Sequence, residues 1–258
     1  LQNIGVDREG LLEELRRLAG LWKDDRVVCR ELGRGLSNMI AFVVSGEHRS
    51  RQESLVSELR ELCRERRETE NLDDVLARSL YNWLLSVKEG TGPEDWPSVI
   101  WEIGELWKRD PQSDELRRSL AKSLAEGIEL ASRAEHARLV VEFMEQLSEL
   151  RRCYSIDVCV QDCWVRGIAK CISHAREVDD GRAGDRFDQE LHDVVTGDDL
   201  NGPARGRCMQ LLVGMLGGER TRLKSARATE LADDLRNGFR RCPENAKVRE
   251  WYVKGVVE

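Results

Sequence analysis

The sequence predicts an all-α fold: an α-solenoid of about six antiparallel helix pairs in a right-handed superhelical array. The main observation is an apolar ladder that returns every 44 residues. Leu120, Leu124 and Ile128 become Leu76, Leu80 and Leu84, then Leu32, Leu36 and Ile40. In the other direction they become Trp164, Ile168 and Ile172, then Cys208, Leu212 and Leu216, and finally Tyr252 and Val256. A repeat of that length marks stacked supersecondary units, none of which can bury a face alone. Composition agrees. Apolar residues make up 40%, enough for a core, and the 34% charged residues suit helices with solvated outer faces. The alternating Val/Ile/Thr runs that announce strands are missing.

Each unit reads as helix A followed by helix B. Helix A carries one apolar column at Leu11, Leu55, Val99, Phe143, Phe187 and Leu231, and a second at Leu15, Leu59, Ile103, Leu147, Leu191 and Leu235. A third runs Leu18, Leu62, Leu106, Leu150 and Val194, and lapses at Gly238. Steps of four and three place all three on one helical face. Helix B opens on Val28, Leu72, Leu116, Val160, Ala204 and Val248 and continues into the ladder. At 40% apolar content, six apolar residues in six at one column arise by chance only a few times in a thousand.

The units span about 5–46, 50–90, 94–132, 135–176, 185–217 and 220–258, expected to stack as a single domain over 1–258. In the first, A covers Arg8 to Leu21 and B Asp25 to Val44; in the second, A covers Arg51 to Arg66 and B Asn71 to Lys88. The GTGPEDW stretch then interrupts, with Asp95 placed to cap a helix that starts near Pro97 and runs to Lys108. Asp110-Pro111 turns the chain into a B helix over Ser113 to Ser132. The fourth unit has A at Glu135 to Arg151 and B at Ile156 to Ala175. The fifth is the weakest. The glycines of DDGRAGD and TGDDLNGPARG predict a short A helix near Phe187 to Val195, a longer loop, and B near Arg205 to Leu216. The sixth has A near Leu223 to Arg240, a turn at Cys242 to Asn245, and B from Ala246.

The stretch Trp107 to Ile128, WKRDPQSDELRRSLAKSLAEGI, resembles the turn and second helix of tetratricopeptide-like repeats. Leu120-Ala121, Leu124-Ala125 and Ile128 supply the large-and-small alternation that lets helices approach closely, echoed by Leu76-Ala77 and Gly33. The unit length is closer to HEAT/armadillo repeats, at about 40–47 residues, than to the tetratricopeptide unit of about 34. Either resemblance implies an α-solenoid that holds other macromolecules, and names no ligand. Helix A lines the concave side in tetratricopeptide-like stacks and helix B in HEAT-like ones.

Net charge is −7, which speaks against a general nucleic-acid binder. The eight cysteines lack the tight framework of a small secreted domain, and reduced thiols in a cytoplasmic protein are expected. No apolar run approaches membrane-spanning length. Leu1 is not methionine and the last ladder stops at Val256, as in a piece cut from a longer protein.

The most informative polar column lies on helix B: Arg34, Arg78, Lys122, Arg166, Gln210 and Lys254. It sits opposite the apolar stripe and predicts a cationic strip for an acidic partner segment or a phosphate backbone. An acidic column on helix A, Glu14, Glu58, Glu102, Gln146, Glu190 and Asp234, offers the competing reading that the basic side chains are spent in salt bridges. Trp83, Trp164 and Trp251 fall on or beside the ladder and are expected in the core. Trp101 lies away from the apolar columns and reads as an interface anchor, or as a ring covered by the preceding loop.

Cys153, Cys159, Cys163 and Cys171, with His174, lack the knuckle spacing of a zinc site and read as interface fillers, so no metal or other cofactor is expected. His48, His136, His174 and His192 form no triad in sequence. Gly214, Gly217 and Gly218 follow a helix instead of opening one. The expectation is therefore a non-enzymatic module for a protein or peptide partner. Nucleic-acid binding through the basic column is the alternative, and a structural segment of a larger protein the third. Self-association through end repeats that lack polar caps is expected as well.

Overall fold

The computed structural model describes residues 8–42, 49–66, 71–89, 92–177, 181–197, 200, 202–220 and 226–257. Val44, His48, Leu223, residues 90–91 of the GTGPEDW stretch, residues 179–180 of DDGRAGD and residues 198, 199 and 201 lie outside them, as do the side chains of Leu216, Gly217, Gly218 and Val256. Among the described residues there are twelve α-helices and no strand. They are α1 (Arg8–Leu21), α2 (Arg26–Phe42), α3 (Arg49–Glu65), α4 (Leu72–Leu85), α5 (Trp96–Arg109) and α6 (Asp114–Arg133). There follow α7 (Ala137–Cys153), α8 (Val158–Glu177), α9 (Gly181–Thr196), α10 (Gly202–Arg220), α11 (Ala226–Arg241) and α12 (Ala246–Val257). A 3-10 turn, Ser86–Glu89, extends α4.

Two compact units divide the chain, Leu1–Ser123 and Leu124–Glu258, with the division inside α6. In the N-terminal unit α1 packs on α2, α2 on α3 and α4, and α4 on α3 and α5. In the C-terminal unit α8 packs on α7, α9 and α10, α10 on α9, α11 and α12, and α11 on α9 and α12. Within each unit the helices that pack on one another are next or next-but-one neighbours in the chain.

The ladder faces inward. Leu36, Leu80, Leu124 and Ile168 are fully buried, and Leu212 nearly so. In helix A, Leu59, Ile103, Leu147, Leu191 and Leu235 are all buried, at about 1.5–3 kcal/mol for each fully covered side chain. The lapse at Gly238 has a steric cause: a Cβ there would stand 2.5 Å from Met209 Sδ and 3.1 Å from Val195 Cγ1. Helix α11 comes too close to its neighbours for a side chain at that point.

The helix boundaries repeat for a reason that apolar spacing does not carry. Asp25 Oδ1 accepts from the Val27 and Val28 amides at 2.8 and 3.1 Å. Asp157 Oδ1 does the same for Cys159 and Val160, and Asn245 Oδ1 for Lys247 and Val248. Ser113 Oγ accepts from the Leu116 amide at 3.1 Å. These four residues share one register position and cap the orphan amides that begin α2, α6, α8 and α12, whereas α4 starts after Asn71 with no side-chain cap. In the same four repeats the capping residue's own amide donates to a carbonyl three back: Trp22, Asp110, Tyr154 and Cys242.

The fifth repeat differs from the expectation. Helix α9 is not short; it begins at Gly181, and only residues 197–201 separate it from α10. Glycine in a helix costs about 1 kcal/mol relative to alanine, and the packing of Phe187 and Leu191 outweighs it. Arg205 of α10 closes the connection. Its guanidinium is buried and donates to the carbonyls of Val195 at 2.9 Å, Gly197 at 3.1 Å and Leu200 at 3.3 Å, neutralising the C-terminal end of α9.

Candidate binding surfaces

The basic column of helix B is solvent-exposed at all its positions: Arg34, Arg78, Lys122, Arg166, Gln210 and Lys254. Its partners are local. Arg34 Nη1 reaches Glu31 at 2.9 Å and Lys254 Nζ reaches Glu250 at 2.7 Å, both on the same helix. Arg78 lies 3.9 Å from Glu115 of α6, and the Lys122 ammonium of α6 stands 5.8 Å from the Tyr81 ring of α4. Arg166 has no ion pair with a described residue. In the N-terminal unit the basic positions of α2, α4 and α6 follow one another without interruption, whereas in the C-terminal unit Gln210 separates Arg166 from Lys254.

The acidic column does not pair with the basic one. Arg16 Nε and Nη2 grip Glu58 at 2.8 and 2.6 Å, and Arg60 grips Glu102 at 2.9 and 2.5 Å. Farther along, Ser148 Oγ donates to Glu190 Oε1, the Trp164 indole N–H reaches both at 3.1 Å, and His192 Nδ1 lies 2.5 Å from Asp234 Oδ1. The donors stand on one helix A and the acceptors on the next, 42 residues on. The two columns seen in sequence are therefore separate devices: a ladder of rungs between A helices, and a strip on the B helices. A donor column 42 residues ahead of the acidic one was the signal that could have shown this.

The grooves between A helices differ in size from one rung to another. Around the bidentate Arg60–Glu102 pair the groove between α3 and α5 holds about 190 Å³. Around the small Ser148–Glu190 pair the groove between α7 and α9 opens to about 760 Å³. That larger groove is polar, edged by the Arg186–Glu145 pair at 2.8 Å and the Arg152–Glu149 pair at 2.8 Å.

Of the tryptophans, Trp83 and Trp164 are core residues, and Arg151 places its guanidinium 4.9 Å from the Trp164 ring. Trp251 is only half-buried, with Lys254 Nζ 4.2 Å from its ring. Trp101 is half-buried too and does not stand free as an exposed anchor. Trp22 is 55% exposed and was not singled out by the repeat pattern.

Cys29, Cys63, Cys163, Cys171 and Cys208 are buried, while Cys153 is exposed. Desolvation pushes the thiols of Cys63 and Cys208 up to about 12. Among the described residues no group of three His, Cys, Asp or Glu side chains is placed to hold a metal ion. No described helix is long and apolar enough to cross a membrane. No protein-family model matches the chain, and no curated protein or solved structure is significantly similar to it.

Proposed function

We propose that the protein is a non-enzymatic binding module of the α-solenoid type, which takes an acidic peptide or protein segment along the B helices of its N-terminal unit. The observation that carries this reading is the unbroken run Arg34, Arg78, Lys122, exposed at one register position and held, among the described residues, by surface contacts within a B helix or between neighbouring B helices. Exposed pairs of that kind are each worth about 0–1 kcal/mol, so a partner's carboxylates displace them at small cost. The acidic ladder supports the reading by finding its partners elsewhere.

A fluorescent glutamate-rich peptide tests the proposal. The Arg34→Glu, Arg78→Glu double variant is expected to weaken its binding at least about tenfold, the change that about 1.4 kcal/mol makes. Unchanged binding, with native helicity retained, would show that the strip only solvates the surface. A nucleic-acid role, the second reading, rests on the same three cations. A single-stranded oligonucleotide would then bind with a log–log salt slope of about −0.7 for each phosphate neutralised. A glutamate-rich peptide engaging the same cations should be less steep.

A further inference from the structure

The register that joins each repeat to its successor leaves complementary faces bare on the first and last helix pairs. Leu55, Val99, Phe143, Phe187 and Leu231 are all at most 3% exposed, yet Leu11, at the same register position, is 57% exposed. Beside it, Leu12, Leu15 and Met39 line a groove of about 620 Å³. At its edge stands Phe42, 61% exposed, with the Arg8 guanidinium 4.0 Å from its ring centroid.

The matching face is on α12. In α2, Gly33 lies close against the next repeat: a Cβ there would meet Leu72, Leu59 and Leu62. In α10, Met209 at the same position presses on Gly238 of the next repeat. Ala77, Ala121 and Val165 hold that position elsewhere and are buried. Val253 holds it in α12 and is 59% exposed.

The rungs show the same incompleteness. Arg16, Arg60, Ser148 and His192 occupy the donor position and reach Glu58, Glu102, Glu190 and Asp234 on the following A helix. Arg236 of α11 occupies the donor position but pairs, among the described residues, only with Asp233 of its own helix. Glu14 of α1 occupies the acceptor position and, among the described residues, pairs with Arg17 of its own helix. Both side chains are 51% exposed.

We propose that a second copy of this chain is the occupant, with α11 and α12 of one molecule docking head to tail on α1 and α2 of the next. Val253 then holds towards Leu15 and Leu18 the register position that Gly33 holds towards Leu59 and Leu62, and Arg236 completes a rung with Glu14. The rung and the contact at Val253 both follow contacts that successive repeats make within the chain, so an apolar position and a charge match at one register. Such a heterologous contact propagates into chains or closes into a ring. The inference stands on exposure and register, independently of the cationic strip.

Sedimentation velocity on the full chain, from about 1 to about 500 µM, reads this out over the range of weak interfaces. The wild type is expected to sediment faster as concentration rises. Val253→Asp should abolish that rise, and Glu14→Arg and Arg236→Glu should each weaken association at least about tenfold. The two charge variants mixed together should associate again, since each offers the face that the other lacks. Circular dichroism checks that these exposed substitutions leave the fold intact. A wild type that is monomeric throughout, association indifferent to all three substitutions, or a mixture that stays monomeric would each overturn the proposal.

Discussion

In the N-terminal unit consecutive A helices are tied by Arg16–Glu58 and Arg60–Glu102, whereas in the C-terminal unit the same register positions hold Ser148–Glu190 and His192–Asp234. The first pair of rungs lies at the surface, with every side chain about a third exposed. In the second, Asp234 is 4% exposed, and Glu190 also receives the N–H of a fully buried tryptophan. At these four places the repeat keeps an offset of 42 residues between a donor and a carboxylate, not an ion pair; in sequence Gly104 and Gln146 break the series. The burial of the groups that fill the offset is what should decide how much a rung contributes.

Removing the acceptors tests that distinction most strongly. Glu190→Ala takes a partner from two buried donors, Ser148 Oγ and Trp164 Nε1, and is expected to cost about 2–3 kcal/mol. Glu58→Ala leaves Arg16 free to turn to water and to Glu13, and should cost about 0–1 kcal/mol. Urea unfolding of both variants measures the contrast. Equal losses would mean that burial around Trp164 does not set the worth of the rung.

The second test uses a feature that the units share. Cys63 and Cys208 are buried thiols held up at about 12, one in each unit. In the unfolded chain a thiol ionises near 8.5. Below that pH both states keep the proton and the contribution is constant. Above it the unfolded state loses its proton first, so stability falls until the folded thiol itself ionises near 12. The expected slope is about 1.4 kcal/mol per pH unit for each thiol between roughly pH 9 and 11. Stability curves for Cys63→Ala and Cys208→Ala should each be flatter over that window. Labelling of the native protein with a thiol reagent should start at the exposed Cys153.

Much of this was legible in the chain. Helix α1 has the boundaries that the periodicity assigns, and the columns through Leu59 and Leu80 are buried in every later repeat where the side chain is described. The misses share a cause. Apolar spacing reports which face is covered, but not what a polar side chain reaches. Arg205 could be placed on helix B, yet not its three bonds to the end of α9, which draw the connection shorter than the glycines of TGDDLNGPARG suggest. Trp101 could be placed off the apolar face, yet not its partial cover. The acidic column was visible as a column, while its donors, Arg16, Arg60, Ser148 and His192, share a register position but not one residue type.

The smallest expected effect compares two glycines that mark close approaches, one in each unit. A Cβ on Gly33 would lie 2.8 Å from Leu72 Cδ2, the far end of a flexible side chain, and the next two repeats carry Ala77 and Ala121 at that position. Gly33→Ala is therefore expected to be neutral, or stabilising by up to about 1 kcal/mol through helix propensity. On Gly238 the Cβ meets two obstacles, Met209 Sδ at 2.5 Å and the fully buried, β-branched Val195 at 3.1 Å. Methionine can yield, but Val195 has one preferred rotamer and nowhere to move. Gly238→Ala should then lose its propensity gain to overpacking and end about 1 kcal/mol below the wild type. Thermal melts of the two variants give opposite signs if α11 is seated more tightly than α2. A stabilised Gly238→Ala would mean that the third apolar column lapses there without steric need.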